Sequence, residues 1–395
     1  MQKLKIKNRQ EFKLIEGHPW IYSNCIENFS ELKKLEKGSL VIIDLPHKPN
    51  FAIAYFNTNQ LIAGRILTYD IQEKIDEIFF EKRIAKALLL RQKFFDKPFY
   101  RLIHSEADML PGLVIDRFDD IFSCQISTFG MQNLEGFFVT ALKKIFPNCK
   151  IIFRNDSESR KFEGLQEEIK IIEGEIDDEK IIEENGIKFA INIKTGQKTG
   201  WFYDQRKNRE FIGSIAHQKD ILDVFCYQGS FGLNALKNNA KSVVFIDSSS
   251  DAINKAQKNV ALNNFDEKKC QFLCGKAFES LEKLASQAHK FDIILLDPPA
   301  FVKSKKDLLT GLKGYEKLVR LALPLLRENG ILFLASCSHN VSLDDLTDSA
   351  NKAIRKFFDN RKSAKLIRVF GADIDHPQSP TLKESEYLKS IAFFV

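Results

Sequence analysis

The sequence predicts an α/β protein: a doubly wound domain with a mostly parallel sheet over the C-terminal half, preceded by a small β-barrel and an α+β segment. Three observations carry this. From about residue 186 the chain alternates strictly, with DILDVFC, SVVFID, CQFLC, FDIILLD and GILFLAS as apolar strands separated by helical stretches such as SFGLNALKNN and SDAINKAQKNVALNN. Apolar strands without period-two alternation imply a parallel sheet covered on both faces. Residues 1 to about 70 instead hold short strands broken by Pro, Gly and Asn (GSLVIIDLP, NFAIAYFN, QLIAGRILTYD), the pattern of a small barrel. Between them, 77–95 has helical spacing, GLVIDRF and IFSCQIS form a hairpin with Asp119-Asp120 at its turn, a helix follows near 131–145, and KIIFRND is a further strand. The expected domains are therefore 1–72, 73–185 and 186–395, since 395 residues exceed one ordinary core.

Composition bounds the function. Hydrophobic residues at 44% with 28% charged describe a globular chain, and no apolar run approaches the roughly 18 residues that span a bilayer. The seven cysteines form no C-x-x-C pair, and Cys270 and Cys274 have no neighbouring histidine to complete a zinc set. Reduced thiols, a cytoplasmic location, and neither a metal nor a membrane partner are expected. The net charge of +6 is concentrated in residues 1–13, in KTGQKTGWFYDQRKNR (194–209) and in KSKK (303–306), with 163–184 acidic between them. Separate basic surfaces of this kind suit a polyanion, although solvated faces are the plainer reading.

Four strand ends of the α/β domain carry unusual chemistry, and ligands of doubly wound sheets bind at the carboxyl ends of the strands. DVFCYQGSFG (223–232) turns a strand through a glycine loop into a helix, but Tyr227 stands where a dinucleotide fingerprint needs its first glycine. Asp247 ends the next strand, where a carboxylate can accept from both ribose hydroxyls or cap the following helix. Asp297 ends the fourth strand in LLDPPAF, and the two prolines fix φ, withhold N–H donors and leave carbonyls to grip a planar base. The fourth end is FLASCSHN (333–340). An inert cysteine belongs in mid-strand among aliphatics. Cys337 follows the strand and lies among Ser336, Ser338, His339 and Asn340, so it is a candidate nucleophile.

Together these residues resemble the class I S-adenosylmethionine methyltransferases, and more narrowly the bacterial large-subunit ribosomal RNA cytosine-5 methyltransferases with an N-terminal PUA domain. GHPWIYSNCI (17–26), RLIHSEADMLPGLVIDRF (101–118), TGQKTGWFYDQRKNR (195–209), FCYQGSFG, DPPAF, SCS and DHPQSPTLKESEYLK carry the resemblance along nearly the whole chain. It implies a Rossmann-like, mostly parallel seven-stranded sheet and transfer of a methyl group from S-adenosylmethionine to carbon 5 of a cytosine in 23S ribosomal RNA. Cys337 would add to carbon 6, Asp297 would hydrogen-bond the ring near N3, and the Pro298 carbonyl would accept from the exocyclic amine. The target base must be extruded or single-stranded.

For the cofactor, the resemblance implies that the loop from Asp223 through Phe225 and Tyr227 to Gly229 passes under the methionine part, with Asp247 and Ser248 at the ribose. Lys198, Thr199 and Asp297 complete the expected set. Where relatives usually address the adenine amine with an acidic residue, this chain has Lys276, which cannot accept, so either the backbone of Lys276 and Ala277 serves instead or cofactor affinity is lowered. RNA contacts are expected from His18, Trp20, Lys194, Arg206, Arg209 and Lys303, with structural roles as the bland alternative for His18 and Trp20. Large-subunit ribosomal RNA and S-adenosylmethionine are the expected partners, with a homodimer as a further expectation. Three rivals stand beside this reading: an RNA guanine N-methyltransferase, a non-catalytic RNA-binding protein, and an NAD-dependent oxidoreductase, the last disfavoured by Tyr227.

Overall fold

Five short strands open the chain, in the sheet order Gln2–Lys5, Ser39–Leu45, Lys48–Phe56, Ile62–Thr68, Trp20–Tyr22. The two edges meet through an antiparallel bridge between Ile6 and Ile26 and a 2.9 Å bond from the Lys7 N–H to the Cys25 carbonyl. The sheet thereby closes into the expected barrel, which leaves no long unpaired edge. Leu4, Val41, Ile43, Ala54, Phe56 and Ile66 fill it. The computed structural model describes residues 1–196, 199–360 and 364–395. Among them, no helix is long and apolar enough to cross a membrane.

The chain folds into two compact units. One comprises Met1–Lys180, Ile191–Tyr203 and Ile374–Ser385, and the other Ile181–Ala190, Asp204–Asp373 and Glu386–Val395. In the first, the barrel is joined by a second five-stranded sheet in the order Glu168–Glu173, Lys150–Asn155, Ile121–Ile126, Leu113–Phe118, Phe99–His104. Asp119 at the hairpin turn has φ 66°, a left-handed conformation that Asp tolerates better than most residues. The helix Glu77–Gln92 starts where Asp76 accepts from the N–H groups of Ile78 and Phe79, and lays Phe79, Phe80, Ile84 and Ala87 on the sheet. The barrel keeps a core of its own, and Tyr55 and Leu67 join that of the sheet. The Tyr55 hydroxyl donates to the Pro111 carbonyl at 3.1 Å and lies 3.0 Å from the Thr128 hydroxyl, and Arg65 pairs with Glu163 at 3.2 Å.

The second unit is built on a seven-stranded sheet. Its strands are β1 (Asp220–Val224), β2 (Ser242–Asp247), β3 (Cys270–Cys274), β4 (Phe291–Leu296), β5 (Leu326–Ser336), β6 (Lys365–Phe370) and β7 (Lys389–Phe394). They lie in the order β3-β2-β1-β4-β5-β7-β6, with β1–β5 parallel and β7 antiparallel to both neighbours. Among the described residues its α-helices are α1 (Arg206–Ile215), α2 (Ser230–Lys237), α3 (Ser250–Leu262), α4 (Ala277–Ser286), α5 (Leu308–Ala322) and α6 (Leu343–Phe357). The core is continuous from Leu222, Val224 and Ile246 through Ile294 and Leu296 to Leu334, Ala350, Ile354 and Ile391. The strand order reverses between β1 and β4, and a crevice at their carboxyl ends is the ligand position such topology creates.

Candidate active site

The loop leaving β1 is held in a conformation that its residues do not favour. Phe225 (φ 64°), Tyr227 (φ 48°) and Gly229 (φ 77°) are all left-handed, so backbone N–H groups successively change direction. Non-glycine residues in that region are strained, and such strain collects at ligand sites. The loop is fixed by bonds from the Cys226 N–H to the Ile246 carbonyl (3.0 Å), from the Gly229 N–H to the Cys226 carbonyl (2.8 Å) and from the Asn259 amide to the Gln228 carbonyl (3.3 Å). Gly229 has no substitute, because a Cβ there would approach Leu233 Cδ1 to 2.9 Å and Ala256 Cβ to 3.0 Å. Within the loop, the fully buried Gln228 amide has, among the described residues, no hydrogen-bond partner for either its oxygen or its nitrogen.

Three carboxylates gather at this switch point. Asp223 is 1% exposed and accepts the Gly232 N–H at 3.0 Å. Burial pushes its carboxyl up to about 7; the Gly232 bond opposes this, while Asp297 and Asp247 push further in the same direction. Asp247 is oriented by the N–H groups of Tyr227 and Ser249, each at 2.9 Å and on a different oxygen. Each carboxylate oxygen has more than one lone pair, so it can accept a second donor such as a ribose hydroxyl. Asp297 accepts the Gln205 side-chain amide at 2.9 Å, a partner the sequence reading missed. Clustered, partly desolvated carboxylates repel, and a cationic ligand relieves that repulsion. S-adenosylmethionine carries a sulfonium and an ammonium group, so these residues fit it.

Lys276 and Ala277 stand at the start of α4, next to Gly275, whose N–H donates to the Asp247 carbonyl at 2.9 Å. The Lys276 side chain is 79% exposed and lies 3.6 Å from Glu279. It points into solvent and leaves the Ala277 backbone at the helix start. Ser248 is exposed, and its carbonyl accepts from the Cys274 thiol at 3.7 Å. Lys198 lies outside the described residues. Thr199, in the first unit, is buried with its hydroxyl donating to Asp116.

The prolines after Asp297 and the serines around Cys337 form one braced structure. Pro298 is buried and Pro299 exposed. Beyond them, the Val302 N–H donates to the Ser338 hydroxyl at 3.4 Å, which ties the DPPAFV loop to the SCS loop. Tyr315 on α5 lies 2.8 Å from the Ser336 hydroxyl and 3.4 Å from that of Ser338, one on each side of Cys337. Gly311 lets the loop lie on α5, since a Cβ there would sit 2.2 Å from Val302 Cγ2. Cys337 is thus a half-exposed thiol on a rigid support. Cys274, the last residue of β3, is exposed and donates to the Ser248 carbonyl. Cys226, in the loop after β1, is buried, and its pKa is raised first by burial and then by Asp223 and Asp247. A thiolate is disfavoured at Cys226, and Cys337 is the thiol tied to the DPPAFV loop through its neighbour Ser338.

The expected RNA contacts divide. Arg206 and Arg209 are 7% and 2% exposed, and their guanidinium groups are occupied by Glu184 and, for Arg206, by Asp373 at 3.1 Å. They brace the interior of the second unit instead of lining a surface track, which corrects the sequence reading. Lys194 pairs with the exposed Asp178 at 2.9 Å, and Lys303 is exposed. The His18 ring packs edge-on to Trp20, and the Trp20 indole N–H donates to Glu106 at 2.8 Å. Trp20 also lines a cleft of about 410 Å³ on the barrel, together with Arg9, Phe12, Lys13 and Tyr22.

A mostly parallel sheet ordered 3-2-1-4-5-7-6 with β7 antiparallel, a left-handed loop after β1 and an acidic crevice together define a class of S-adenosylmethionine-dependent methyltransferase. Comparisons with known proteins agree. Residues 165–364 match the family described as S-adenosylmethionine-dependent methyltransferase, and residues 4–69 match a PUA-like domain. The ribosomal RNA large subunit methyltransferase I of Pseudoalteromonas atlantica is 35% identical over 385 residues, covering 97% of this chain and 96% of the relative. That of Vibrio vulnificus strain CMCP6 is 35% identical over 393 residues, covering 98% and 97%. A Streptococcus mutans structure described as a SAM-dependent methyltransferase superposes with a TM-score of 0.83 at 22% identity over 100% of both chains, a likeness of fold. The chain belongs to the ribosomal RNA large subunit methyltransferase I family, and its cofactor is S-adenosylmethionine.

Proposed function

We propose that this protein methylates carbon 5 of a cytosine in large-subunit ribosomal RNA through a transient Cys337–cytosine bond. The observation that carries the reading is the half-exposed Cys337 thiol, braced by Ser336, Ser338 and Tyr315 at the strand end beside Asp297. Family membership supports the RNA substrate. Bound S-adenosylmethionine supplies an electrophilic methyl group. Cytosine carbon 5 is a poor nucleophile until the Cys337 thiolate adds to carbon 6, which converts the ring to an enamine whose electron pair at carbon 5 attacks the methyl. Asp297 holds the ring near N3 and the Pro298 carbonyl accepts the exocyclic amine, which orients the base for in-line attack. A base, solvent water in the simplest case, then takes the carbon-5 proton, and the C–H electron pair re-forms the 5,6 double bond as the Cys337 sulfur leaves as thiolate.

In this reading the loop Asp223–Gly229 carries the methionine part of the cofactor, and Asp247 and Ser248 hold the ribose. The backbone of Lys276 and Ala277 meets the adenine. The barrel, 1–72, contacts RNA through its basic and aromatic cleft, with His18 beside it. Residues 73–185 form the middle domain, 186–395 the catalytic one, and Lys194 and Lys303 add phosphate contacts. The protein works in the cytoplasm, where its substrate is made, and self-association into a homodimer is read by light scattering. The test of function is transfer of labelled methyl from S-adenosylmethionine to large-subunit RNA, followed by nucleoside mass spectrometry. 5-Methylcytidine supports the proposal; methylguanosine, or no incorporation into a demonstrably intact RNA, overturns it.

A further inference from the structure

We propose that Lys389 is a positioning residue that holds Cys337 as a thiolate, an inference that rests on Cys337 being the nucleophile. Antiparallel pairing of β7 with β5 sets Lys389 directly opposite Ser336, the residue before Cys337. Directly opposed residues on antiparallel strands project to the same face about 5 Å apart. Lys389 therefore stands where β5 ends and the cysteine leaves it. The same face of β7 continues with Ile391 and Phe393, paired with Leu334 and Leu332, all core.

A lysine in such a row is costly. Lys389 is only 7% exposed, yet among the described residues its ammonium has no carboxylate within ion-pair distance. Its one hydrogen bond is a long one, 3.4 Å to the Tyr387 carbonyl. Buried ammonium groups need a counter-charge, and an apolar residue would fill this site more cheaply. The charged and titratable groups around it are few. Glu386 is exposed. Tyr387 donates its hydroxyl to Asp204 at 2.6 Å and has the His339 ring 5.6 Å away. Tyr315, from α5, is engaged with Ser336 and Ser338. Cys337 is the remaining one.

Electrostatics agree with the placement. Burial lowers the pKa of Lys389 below the ordinary lysine value, and Glu386 and Cys337 offset only part of that fall. The coupling to Cys337 is reciprocal: a protonated Lys389 favours loss of the Cys337 proton to water, with the lysine remaining an ammonium. Cys226 has the opposite surroundings, buried beside Asp223 and Asp247. Cys226 and Cys337 are thereby driven apart in reactivity.

The test uses the full-length protein. Iodoacetamide alkylation of Cys337 is followed by peptide mass spectrometry from pH 5.5 to 10 in wild type, Lys389→Met and Lys389→Arg. The wild-type profile should have its midpoint below the ordinary thiol value of about 8.5. Lys389→Met should move it up by about one pH unit or more, and Lys389→Arg should restore it. Superimposed profiles for a folded Lys389→Met protein overturn the proposal. So does a wild-type midpoint at or above the ordinary value, a result that needs no variant to fold. Covalent trapping on RNA containing 5-fluorocytidine separates the two levels. A trap with an unshifted profile refutes Lys389 alone, whereas a shifted profile without a trap refutes the nucleophile and leaves the lysine–thiolate pair.

Discussion

Asp223 turns the acidic crevice into a quantitative prediction. Its carboxyl moves from 3.8 to about 7 on folding, chiefly because it is buried, with Asp297 and Asp247 adding to the effect. Between about pH 4 and 7 the folded protein therefore keeps a proton that the unfolded chain has released. Stability must fall as pH rises through this window, since the unfolded state binds fewer protons. At about 1.4 kcal/mol per tenfold change, the span corresponds to about 4 kcal/mol lost by pH 7. Asp223→Asn retains an oxygen to accept the Gly232 N–H and removes the titration. The stability difference between variant and wild type should be near its low-pH value at pH 4 and grow by about 4 kcal/mol in favour of the variant by pH 8. Urea unfolding of both proteins across that range measures it. A difference that stays flat with pH refutes the reasoning. Cofactor binding supplies a second readout: S-adenosylmethionine, being more cationic than its demethylated product, should displace more protons at pH 6.5 in calorimetry run in buffers of different ionisation enthalpy.

Other substitutions test the remaining parts of the site. Gly229→Ala strains the left-handed turn and meets Leu233 and Ala256, so it should destabilise by about 1–3 kcal/mol in denaturant titration and weaken S-adenosylmethionine binding. Arg209→Ala strips a buried partner from Glu184 and should cost about 3 kcal/mol or more, while the salt dependence of RNA binding, followed by fluorescence anisotropy, stays unchanged. Lys276→Ala removes an exposed side chain, so stability should change by no more than about 0.5 kcal/mol and the calorimetric cofactor affinity should be retained. Cys337→Ala should abolish methyl transfer and leave cofactor binding intact.

Strand ends were the most legible part of this molecule. Asp247, Asp297 and Cys337 could be read because each stands where an apolar run ends, and Asp223 because it interrupts one just before its loop; parallel topology gathers such termini at one edge. The glycine loop was legible as a loop, but its left-handed Phe225 and Tyr227 were not, because conformation there is imposed by bonds to Ile246, Asp247 and Asn259. Arg206 and Arg209 were misread because a run of basic residues does not reveal its partners. Glu184, from an acidic stretch that looked solvated, is buried against both. Lys389 was invisible for the same reason. Its meaning depends on an antiparallel strand from the C-terminus pairing with β5, an arrangement that local pattern does not encode.

The central claim, that Cys337 forms a covalent bond with cytosine, is most directly tested by trapping. Large-subunit RNA fragments containing 5-fluorocytidine are incubated with the protein and S-adenosylmethionine, and denaturation-stable complexes are mapped by mass spectrometry. Fluorine blocks the final proton loss, so the account predicts an RNA adduct on the Cys337 peptide that Cys337→Ala abolishes. Methylation of the unmodified RNA with no adduct from the fluorinated one, or an adduct on another cysteine, contradicts it.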